Sequence, residues 1–306
     1  MARKNRKLVV LIDGNFFAFR AYATRSLSTS TGIQTSVISG MLQMFKNLYK
    51  RFQYDRLIIC WDSTKGSALR KGLFPEYKAN RKEAKEERKD LFVQMRQARK
   101  FFKTLNVRQA VLKGVEGDDM MGILSAYYAK EQEVLIVSAD KDLLQLVRPS
   151  VSVFRPINDQ MVDTREFADM YDGITPNQFI KAKSLMGDKG DNIPGVPGIG
   201  EKRAIEIVKR YPTLKDVLDD TSAKPYIRAV GKHIKTVNLA FKLVKICRKP
   251  SELGNGFKKP FSRLVASFKG KRIVEVNVMV TLIRSLEMRH RNWDALADAL
   301  TIRLDR

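Results

Sequence analysis

The amino-acid sequence predicts an α/β fold with a mainly parallel central sheet flanked by helices. In the first 150 residues, short apolar runs rich in β-forming residues alternate with longer stretches of helical periodicity. This β-α-β order is typical of parallel sheets whose faces are covered by helices. Three of the apolar runs end in an aspartate, at Asp13, Asp62 and Asp140. With 306 residues, the chain is long enough for one large domain or two smaller ones.

Each predicted element follows from a local pattern. Four runs with strand character cover 7–13, 56–62, 134–140 and 151–154. Helical periodicity is predicted over 34–53, over a charge-rich stretch at about 76–104, from 116 to 127, from 142 to 147, over 175–186 and over 201–211. The remainder, up to Arg306, is predicted to be mainly helical and basic.

The charge balance indicates an anionic partner. The chain has 57 Lys and Arg residues against 33 Asp and Glu residues, so its formal net charge is +24. Such a charge favours binding to nucleic acid or to an anionic membrane surface. No apolar run approaches the roughly 20 residues needed to cross a bilayer. The sequence therefore predicts no membrane-spanning segment.

Cysteine and histidine are too scarce for a zinc site. Cys60 lies within a strand-like run, so a buried free thiol and a reducing cytosol are expected. Cys247, His233 and His290 are the remaining residues of these two types. Zinc prefers sulfur and imidazole ligands. A metal site in this chain would have to be built from oxygen atoms, which Mg²⁺ and Mn²⁺ accept.

Nine acidic residues are the candidate metal ligands. Ligands in open α/β sheets bind beyond the carboxyl ends of the strands, so the three strand-end aspartates are expected near one crevice. Carboxylates brought together repel one another unless cations neutralise them or they take up protons. The alternative is that such aspartates are ordinary turn residues and helix caps. The full candidate set is Asp13, Asp62, Glu116, Asp118, Asp119, Asp140, Asp142, Asp188 and Asp191.

A Gly/Pro cluster predicts a helix-hairpin-helix. Gly195, Gly198 and Gly200 allow positive φ and close backbone approach, and a helix with Lys202 and Arg203 in its first turn follows. A helix N-terminus with basic residues suits a phosphate, so this module is expected to bind a duplex backbone without reading sequence. A plain turn between two helices is the alternative.

A cationic stripe lies on the charge-rich stretch that is predicted to be the second helix of the core. Its spacing would place the basic residues on one face of a helix over about 76–104. We expect a phosphate-binding wall above the metal site, and a solvated surface helix with salt bridges is the alternative. Phe74 and Tyr77 are candidates to stack on a base. The stripe consists of Lys78, Arg81, Lys82, Lys85, Arg88 and Lys89.

These motifs together resemble the 5′ nuclease (flap endonuclease) family of bacteria and phages, including the nuclease domain of bacterial family A DNA polymerases. The likeness runs from about Lys7 to Tyr211. It is carried by Asp13-Gly-Asn, Trp61-Asp62, Phe74-Pro-Glu-Tyr-Lys-Ala-Asn-Arg81, Gly114-Val-Glu-Gly-Asp-Asp119, Ser138-Ala-Asp-Lys-Asp142 and the segment from Leu185 to Gly200.

The resemblance implies roles for these residues. Glu116, Asp118 and Asp119 would serve a first metal region with Asp13 and Asp62, and the other four acids a second. Two Mg²⁺ ions, replaceable by Mn²⁺, are the implied cofactors, with K⁺ at the hairpin. Lys78, Arg81 and Tyr77 match catalytic residues at the base of the family's arch. Arg20, Lys82 and Lys85 are expected to contact DNA, together with the hairpin residues Gly195, Gly198, Gly200, Lys202 and Arg203.

The resemblance also implies a domain plan. Residues 1–180 would form a PIN-like nuclease core with a helical arch at about 74–104. Residues 181–306 would hold the helix-hairpin-helix, at about 185–211, and a basic helical region packed on the core. Beyond about 215 no motif is recognised, so the role of that segment rests on charge alone.

The implied activity is that of a monomeric, cytoplasmic 5′→3′ exonuclease and flap endonuclease. Its substrates would be DNA duplexes with a 5′ flap or a single-stranded 5′ end and RNA-DNA hybrids. Single-strand-binding protein or a polymerase is the expected protein partner. Two alternatives stay open from the residues: a carboxylate-type ribonuclease of the PIN-like class, and a non-catalytic DNA-architectural protein.

Overall fold

A central six-stranded sheet confirms the predicted fold class. The computed structural model describes residues 6–24, 26–81, 88–220, 224–288 and 292–305. The strands of the sheet are β1 (Leu8–Asp13), β2 (Arg56–Cys60), β3 (Gln109–Ala110), β4 (Glu133–Val137), β5 (Val151–Arg155) and β6 (Gln160–Val162). Their order is β3-β2-β1-β4-β5-β6, and every neighbouring pair is parallel except β5 with β6.

Helices cover both faces of the sheet and form most of the second half of the chain. The α-helices are α1 (Gly14–Thr24), α2 (Ser36–Phe52), α3 (Ala68–Leu73), α4 (Lys89–Thr104), α5 (Gly117–Tyr128), α6 (Thr164–Met170), α7 (Pro176–Met186), α8 (Glu201–Arg210), α9 (Leu214–Asp219), α10 (Pro225–Lys232), α11 (Ile234–Val244), α12 (Lys258–Ser267), α13 (Val276–Ser285) and α14 (Trp293–Ala299). Short 3₁₀ helices cover Ala79–Arg81, Lys141–Leu146, Pro250–Leu253 and Asn255–Phe257.

The central strands are apolar on both sides because both faces of the sheet are covered. In β1, Val9 and Leu11 pack with residues of α5 and β4 on one face. Val10 and Ile12 pack on the other face with α1, α2 and α4. These side chains are fully buried. Such continuous apolar runs are what identified the strands in the sequence.

The predicted single helix over about 76–104 is wrong in its first part. Lys78 has a φ of 55°, in the left-handed region, and Ala79–Arg81 form a 3₁₀ helix. The backbone N–H of Lys78 donates to the carbonyl oxygen of Asp191 at 2.9 Å, so a tertiary contact replaces the helical pattern there. Lys82 and Lys85 lie outside the described residues.

Several further elements differ from the sequence prediction. Helix α1 starts directly after Asp13, where no helix was predicted. The tail, predicted to be mainly helical, also contains a parallel pair of strands, β7 (Arg272–Glu275) and β8 (Ile302–Asp305). The tail packs on the core: Met279, Ile283 and Leu296 belong to the same apolar cluster as α2.

Among the described helices, none is both long and apolar enough to cross a membrane.

Candidate active site

Seven of the nine predicted acids line one cavity at the carboxyl edge of the sheet. The neighbouring strands β1, β2 and β4 end at or just before Asp13, Asp62 and Asp140, so these three carboxylates meet as expected for a parallel sheet. The cavity has a volume of about 500 Å³. Its acidic lining consists of Asp13, Asp62, Asp118, Asp140, Asp142, Asp188 and Asp191.

Hydrogen bonds from neighbouring groups hold the strand-end carboxylates in place. Asp13 accepts from the backbone N–H of Phe16 at 2.9 Å and from Ser138 Oγ at 2.6 Å. Asp62 accepts from the N–H of Gly117, at the start of α5, at 2.6 Å. These donors fix the side chains that the strands bring to the edge.

Burial destabilises the charged form of these carboxylates and so raises their pKa values. It raises the pKa of Asp13 to about 6, with the nearby carboxylates of Asp62 and Asp140 adding to the rise. Burial also raises the pKa of Asp118 well above its usual range, and repulsion from Asp140, Asp13 and Asp62 raises it further. A cation bound among these carboxylates would stabilise their charged forms and lower both pKa values.

A buried lysine that the sequence reasoning missed bridges two of the acids. Lys183 Nζ contacts the carboxylate of Asp142 and lies 3.0 Å from Asp188 Oδ2. Burial opposes the charge on Lys183, but the two carboxylates raise its pKa overall. Burial raises the pKa of Asp142 to about 6 although Lys183 opposes this, and the pKa of Asp188 is lowered by Lys183 despite its own burial. The available signal was a lysine four residues after Phe179, on the buried side of α7.

The base of the predicted arch is docked on the loop that carries the last two acids. Tyr77 Oη donates to Asp191 Oδ2 at 3.1 Å, and the Arg81 guanidinium pairs with the Asp191 carboxylate. Arg81 Nε also donates to the carbonyl oxygen of Gly190 at 3.1 Å. Lys78 and Arg81 line the cavity. The structure thus brings both predicted catalytic cations to the carboxylates.

Lys78 and Tyr77 do not have the solvated surroundings of a surface helix, because Lys78 is part-buried and Tyr77 is buried. Burial opposes the charge on Lys78, but Glu116, Tyr77 and Asp191 raise its pKa overall, so the ammonium stays protonated. Tyr77 is only 2% exposed. Its ring therefore has no free face for a base in this conformation, and the predicted stacking role finds no support here.

The remaining two acids lie outside the cavity. Glu116 and Asp119 are buried against the guanidinium of Arg70, which the sequence reasoning also missed. Neither belongs to the cavity lining, although Asp118, between them in sequence, does.

Helix α1 forms part of the cavity wall and contacts Arg88, the residue before α4. Phe16 and Phe19 are part of the cavity lining, and the Arg88 guanidinium lies 5.3 Å from the centre of the Phe19 ring. Arg20, the next residue on α1, is not part of this lining; it borders a separate cavity formed with α2 and α13. Its role in DNA contact stays a prediction.

The hairpin lies between α7 and α8, as the helix-hairpin-helix pattern requires. Gly198 has a φ of 78°, and Gly200 precedes α8 as its N-cap. Lys202 is exposed in the first turn of α8. Arg203 instead folds back: Nη1 donates to the Gly198 carbonyl oxygen at 2.6 Å, and the guanidinium lies 4.9 Å from the Tyr226 ring centre. Contact between these residues and DNA stays a prediction.

Gly195 closes the hairpin by close backbone approach, so a methyl group there should destabilise the protein. An added Cβ would lie 2.0 Å from the carbonyl oxygen of Met186, whereas at Gly200 it would meet no atom within 4 Å. We expect Gly195→Ala to cost about 1–3 kcal/mol of unfolding free energy, as overpacking does. Urea unfolding measures this, with Gly200→Ala as the control. Equal losses in the two variants would contradict the assignment.

The donor set of the cavity fits a hard divalent cation. Cys60 also lines it, but burial, with help from Asp13 and Asp118, raises the pKa of its thiol, so it is not a thiolate at neutral pH. Carboxylate oxygens remain, which Mg²⁺ and Mn²⁺ accept. Within the described ranges no three acidic, Cys or His side chains already enclose a metal position. Carboxylates paired with Lys183, Lys78 or Arg81 would have to rotate to ligate an ion.

Comparisons with known proteins identify the family. Residues 8–172 match the family model described as 5′-3′ exonuclease, N-terminal resolvase-like domain, and residues 174–254 match its C-terminal SAM fold. A 5′-3′ exonuclease of Buchnera aphidicola subsp. Schizaphis graminum is 31% identical over 258 residues, covering 80% of this chain and 88% of that protein. DNA polymerase I of Bacillus caldotenax is 34% identical over 251 residues, covering 79% of this chain and 28% of the polymerase.

Solved structures share the fold. The T5 D15 protein, solved with metal ions, superposes with a TM-score of 0.68 at 22% identity, over 92% of this chain and 98% of that one. The sheet, the carboxylate cavity and the family match lead to one conclusion. This chain belongs to the 5′-3′ exonuclease family.

Proposed function

We propose that this protein is a structure-specific 5′ nuclease that hydrolyses phosphodiester bonds as a 5′→3′ exonuclease and flap endonuclease. The observation that carries the proposal is the cavity in which seven carboxylates face the cations Lys78 and Arg81 at the arch base. An anionic cavity would repel DNA unless it held metal ions, which argues against a purely architectural protein. The T5 D15 protein is described as a flap endonuclease in its complex with DNA and metal ions.

Two Mg²⁺ ions, replaceable by Mn²⁺, are the proposed cofactors, held by the seven carboxylates of the cavity. When bound, such ions lower the pKa of water and stabilise the attacking and leaving oxygens of an in-line displacement. The chain itself contributes the positive charges of Lys78 and Arg81, which would contact the scissile phosphate. Both cations are tied to Asp191, so the same carboxylate links the arch base to the metal ligands.

The proposed substrates are DNA duplexes with a 5′ flap or a single-stranded 5′ end, and RNA-DNA hybrids. The hairpin at 195–200, with Lys202 exposed beside it, would hold the duplex backbone, and K⁺ at its carbonyl oxygens is part of the proposal. The 5′ strand would pass along the arch. Primer removal beside a polymerase or single-strand-binding protein, by a monomer in a bacterial or phage-infected cytoplasm, is the corresponding biological role.

A cleavage map on an end-labelled 5′-flap duplex tests the function. We expect cuts at the junction of flap and duplex in Mg²⁺ and none in EDTA. Binding without cleavage would favour an architectural protein. Cleavage of single-stranded RNA with no preference for the flap would favour a carboxylate-type ribonuclease.

Lys78→Ala should slow cleavage far more than it weakens duplex binding. The ammonium faces the cavity, and removing one group that stabilises transition-state charge typically costs about 10²–10³-fold in rate. Single-turnover rates at saturating enzyme, compared with binding affinities in the absence of divalent metal, measure the two effects. Lys130→Ala, at an exposed site beyond α5 at the opposite edge of the sheet, is the control. Equal losses in rate and binding for Lys78→Ala would contradict a transition-state role.

Mg²⁺ should stabilise the protein more at pH 7.5 than at pH 5. The pKa values of Asp13 and Asp142 rise from 3.8 to about 6 on folding, so the folded state holds these protons more tightly than the unfolded state. Without metal, their contribution to stability therefore falls as pH rises from about 4 to 6 and stays low above it. Metal binding requires the deprotonated groups. The shift of Tm on adding Mg²⁺ measures the effect, and equal shifts at both pH values would contradict it.

A further inference from the structure

We propose that Glu116 and Arg70 act as positioning residues for Lys78, and that Glu116 is not a ligand of either metal ion. This inference rests on the proposed function, because Lys78 is assigned there to the scissile phosphate. It differs from the assignment implied by family resemblance, in which Glu116 serves the first metal region. Three sets of contacts carry it.

The first set fixes Arg70. Its side chain comes from α3 and is almost completely buried, at 5% exposure. Nε donates to the carbonyl oxygen of Leu243 at 2.8 Å and Nη2 to that of Lys245 at 3.1 Å, at the carboxyl end of α11. The other donors contact the carboxylates of Glu116 and Asp119. All five N–H groups therefore have partners, and these contacts hold the guanidinium in place.

The second set runs from Arg70 through Glu116 to Lys78. Glu116 Oε2 accepts from Arg70 Nη1 at 2.5 Å, and Oε1 accepts from Lys78 Nζ, also at 2.5 Å. Tyr77 Oη lies 3.4 Å from both Glu116 oxygens. Both oxygens of this carboxylate are thus occupied by basic groups. Glu116 itself is 5% exposed and absent from the cavity lining, so it contacts the site through Lys78.

The third set explains why Arg70 can be buried beside a cationic Lys78. Asp119 lies on the far side of the guanidinium, contacting Nη1 at 2.7 Å and Nη2 at 3.1 Å, and accepts from the Cys247 N–H at 2.9 Å. The buried carboxylates of Glu116 and Asp119 therefore balance the charges of the buried Arg70 and the part-buried Lys78. Asp118, next to Asp119 in sequence, belongs instead to the cavity.

The consequence is a fixed position for the Lys78 ammonium. Its backbone is held at Asp191, and its Nζ lies between Glu116 and Asp191, 3.7 Å from Asp191 Oδ2. A lysine side chain has four rotatable bonds, so without such an anchor the charge would be distributed over many positions. Through Arg70, this anchor extends to residues 243–247 of the second half of the chain.

Glu116→Gln tests the assignment, because it keeps the shape and removes the charge. We expect Mg²⁺ affinity, measured by calorimetry on the DNA-free protein, to stay within about twofold of wild type, whereas Asp118→Asn weakens it strongly. We expect the single-turnover rate of flap cleavage at saturating Mg²⁺ to fall by about 10–100-fold, as for residues that orient a functional group. A loss of Mg²⁺ affinity equal to that of Asp118→Asn would overturn the proposal, and so would an unchanged cleavage rate.

A double-mutant cycle shows whether Glu116 acts through Lys78. If it does, Glu116→Gln added to Lys78→Ala should cause almost no further loss of rate, since the group it positions is absent. Additive losses would overturn the proposal. The wild-type protein in the same assay separates the two hypotheses: if it does not cut the flap, the proposed function fails, whereas the calorimetry still decides whether Glu116 binds metal.

Discussion

Replacing Asp140 and Asp142 together by asparagine is expected to lower the single-turnover rate of flap cleavage by about 10³-fold or more. A catalytic metal ion contributes several kcal/mol of transition-state stabilisation, and about 4 kcal/mol corresponds to 10³ in rate. Both side chains line the carboxylate cavity, and burial raises the pKa of Asp142 although Lys183 opposes this, so the substitution removes two of the carboxylates proposed to bind metal. Rates measured on a 5′-flap duplex in Mg²⁺ provide the comparison.

A matched control replaces two exposed aspartates that do not line the cavity, so it removes the same number of negative charges. Asp159 and Asp172 have side chains that are 71% and 76% exposed. Both have positive φ values, which asparagine tolerates. Asp159→Asn combined with Asp172→Asn should therefore leave the cleavage rate near that of wild type. Undiminished cleavage by the Asp140/Asp142 variant would exclude these residues as metal ligands, and an equal loss in the control would mean that net charge alone causes the effect.

Arg70→Leu is expected to lower the free energy of unfolding by about 3–5 kcal/mol, the usual cost of removing one partner from a buried ion pair. The substitution leaves the carboxylates of Glu116 and Asp119 buried without their main partner, and two carbonyl oxygens of residues 243 and 245 lose a donor. Urea unfolding of the metal-free protein measures the loss.

The control for this prediction is an exposed ion pair. Arg51 pairs with Asp159, and their side chains are 45% and 71% exposed, so Arg51→Leu should cost no more than about 1 kcal/mol. A loss for Arg70→Leu as small as that for Arg51→Leu would mean that the buried network does not stabilise the fold.

The carboxylate edge of the sheet was predictable because it depends on local patterns and one general rule. Apolar runs ending at Asp13, Asp62 and Asp140 identify strands, and parallel strands bring their carboxyl ends to the same edge. The rule needs no knowledge of distant contacts. For the same reason the fold class and the strands β1, β2, β4 and β5 were predicted correctly.

The division of labour among the acids was not predictable. Asp118 and Asp119 are adjacent on α5, where successive side chains point in directions about 100° apart. Asp118 lines the cavity, whereas Asp119 pairs with Arg70, which comes from a helix 49 positions earlier in the chain. A sequence pattern shows how many acidic residues a segment contains, but it does not show which of them pair with a basic side chain from elsewhere in the chain.

Three other features were not predicted from the sequence. Lys78 departs from the helical pattern because its backbone binds Asp191, more than a hundred residues later. Helix α1 was missed because its sequence, Gly-Asn-Phe-Phe-Ala-Phe-Arg-Ala-Tyr-Ala-Thr, is apolar on several sides and shows no clear amphipathic stripe. Lys183 was missed because a lysine in a helix is normally taken for a surface residue.

The dependence of flap cleavage on Mg²⁺ tests the central claim, that the carboxylate cavity is a two-metal centre for phosphodiester hydrolysis. The measurement is the single-turnover rate on a 5′-flap duplex at saturating wild-type enzyme, with Mg²⁺ varied below saturation. We predict no cleavage in EDTA, and a log–log slope that approaches two as Mg²⁺ is lowered. Cleavage that persists at an unchanged rate in EDTA would contradict a metal centre, and a slope that stays at one would contradict the second ion.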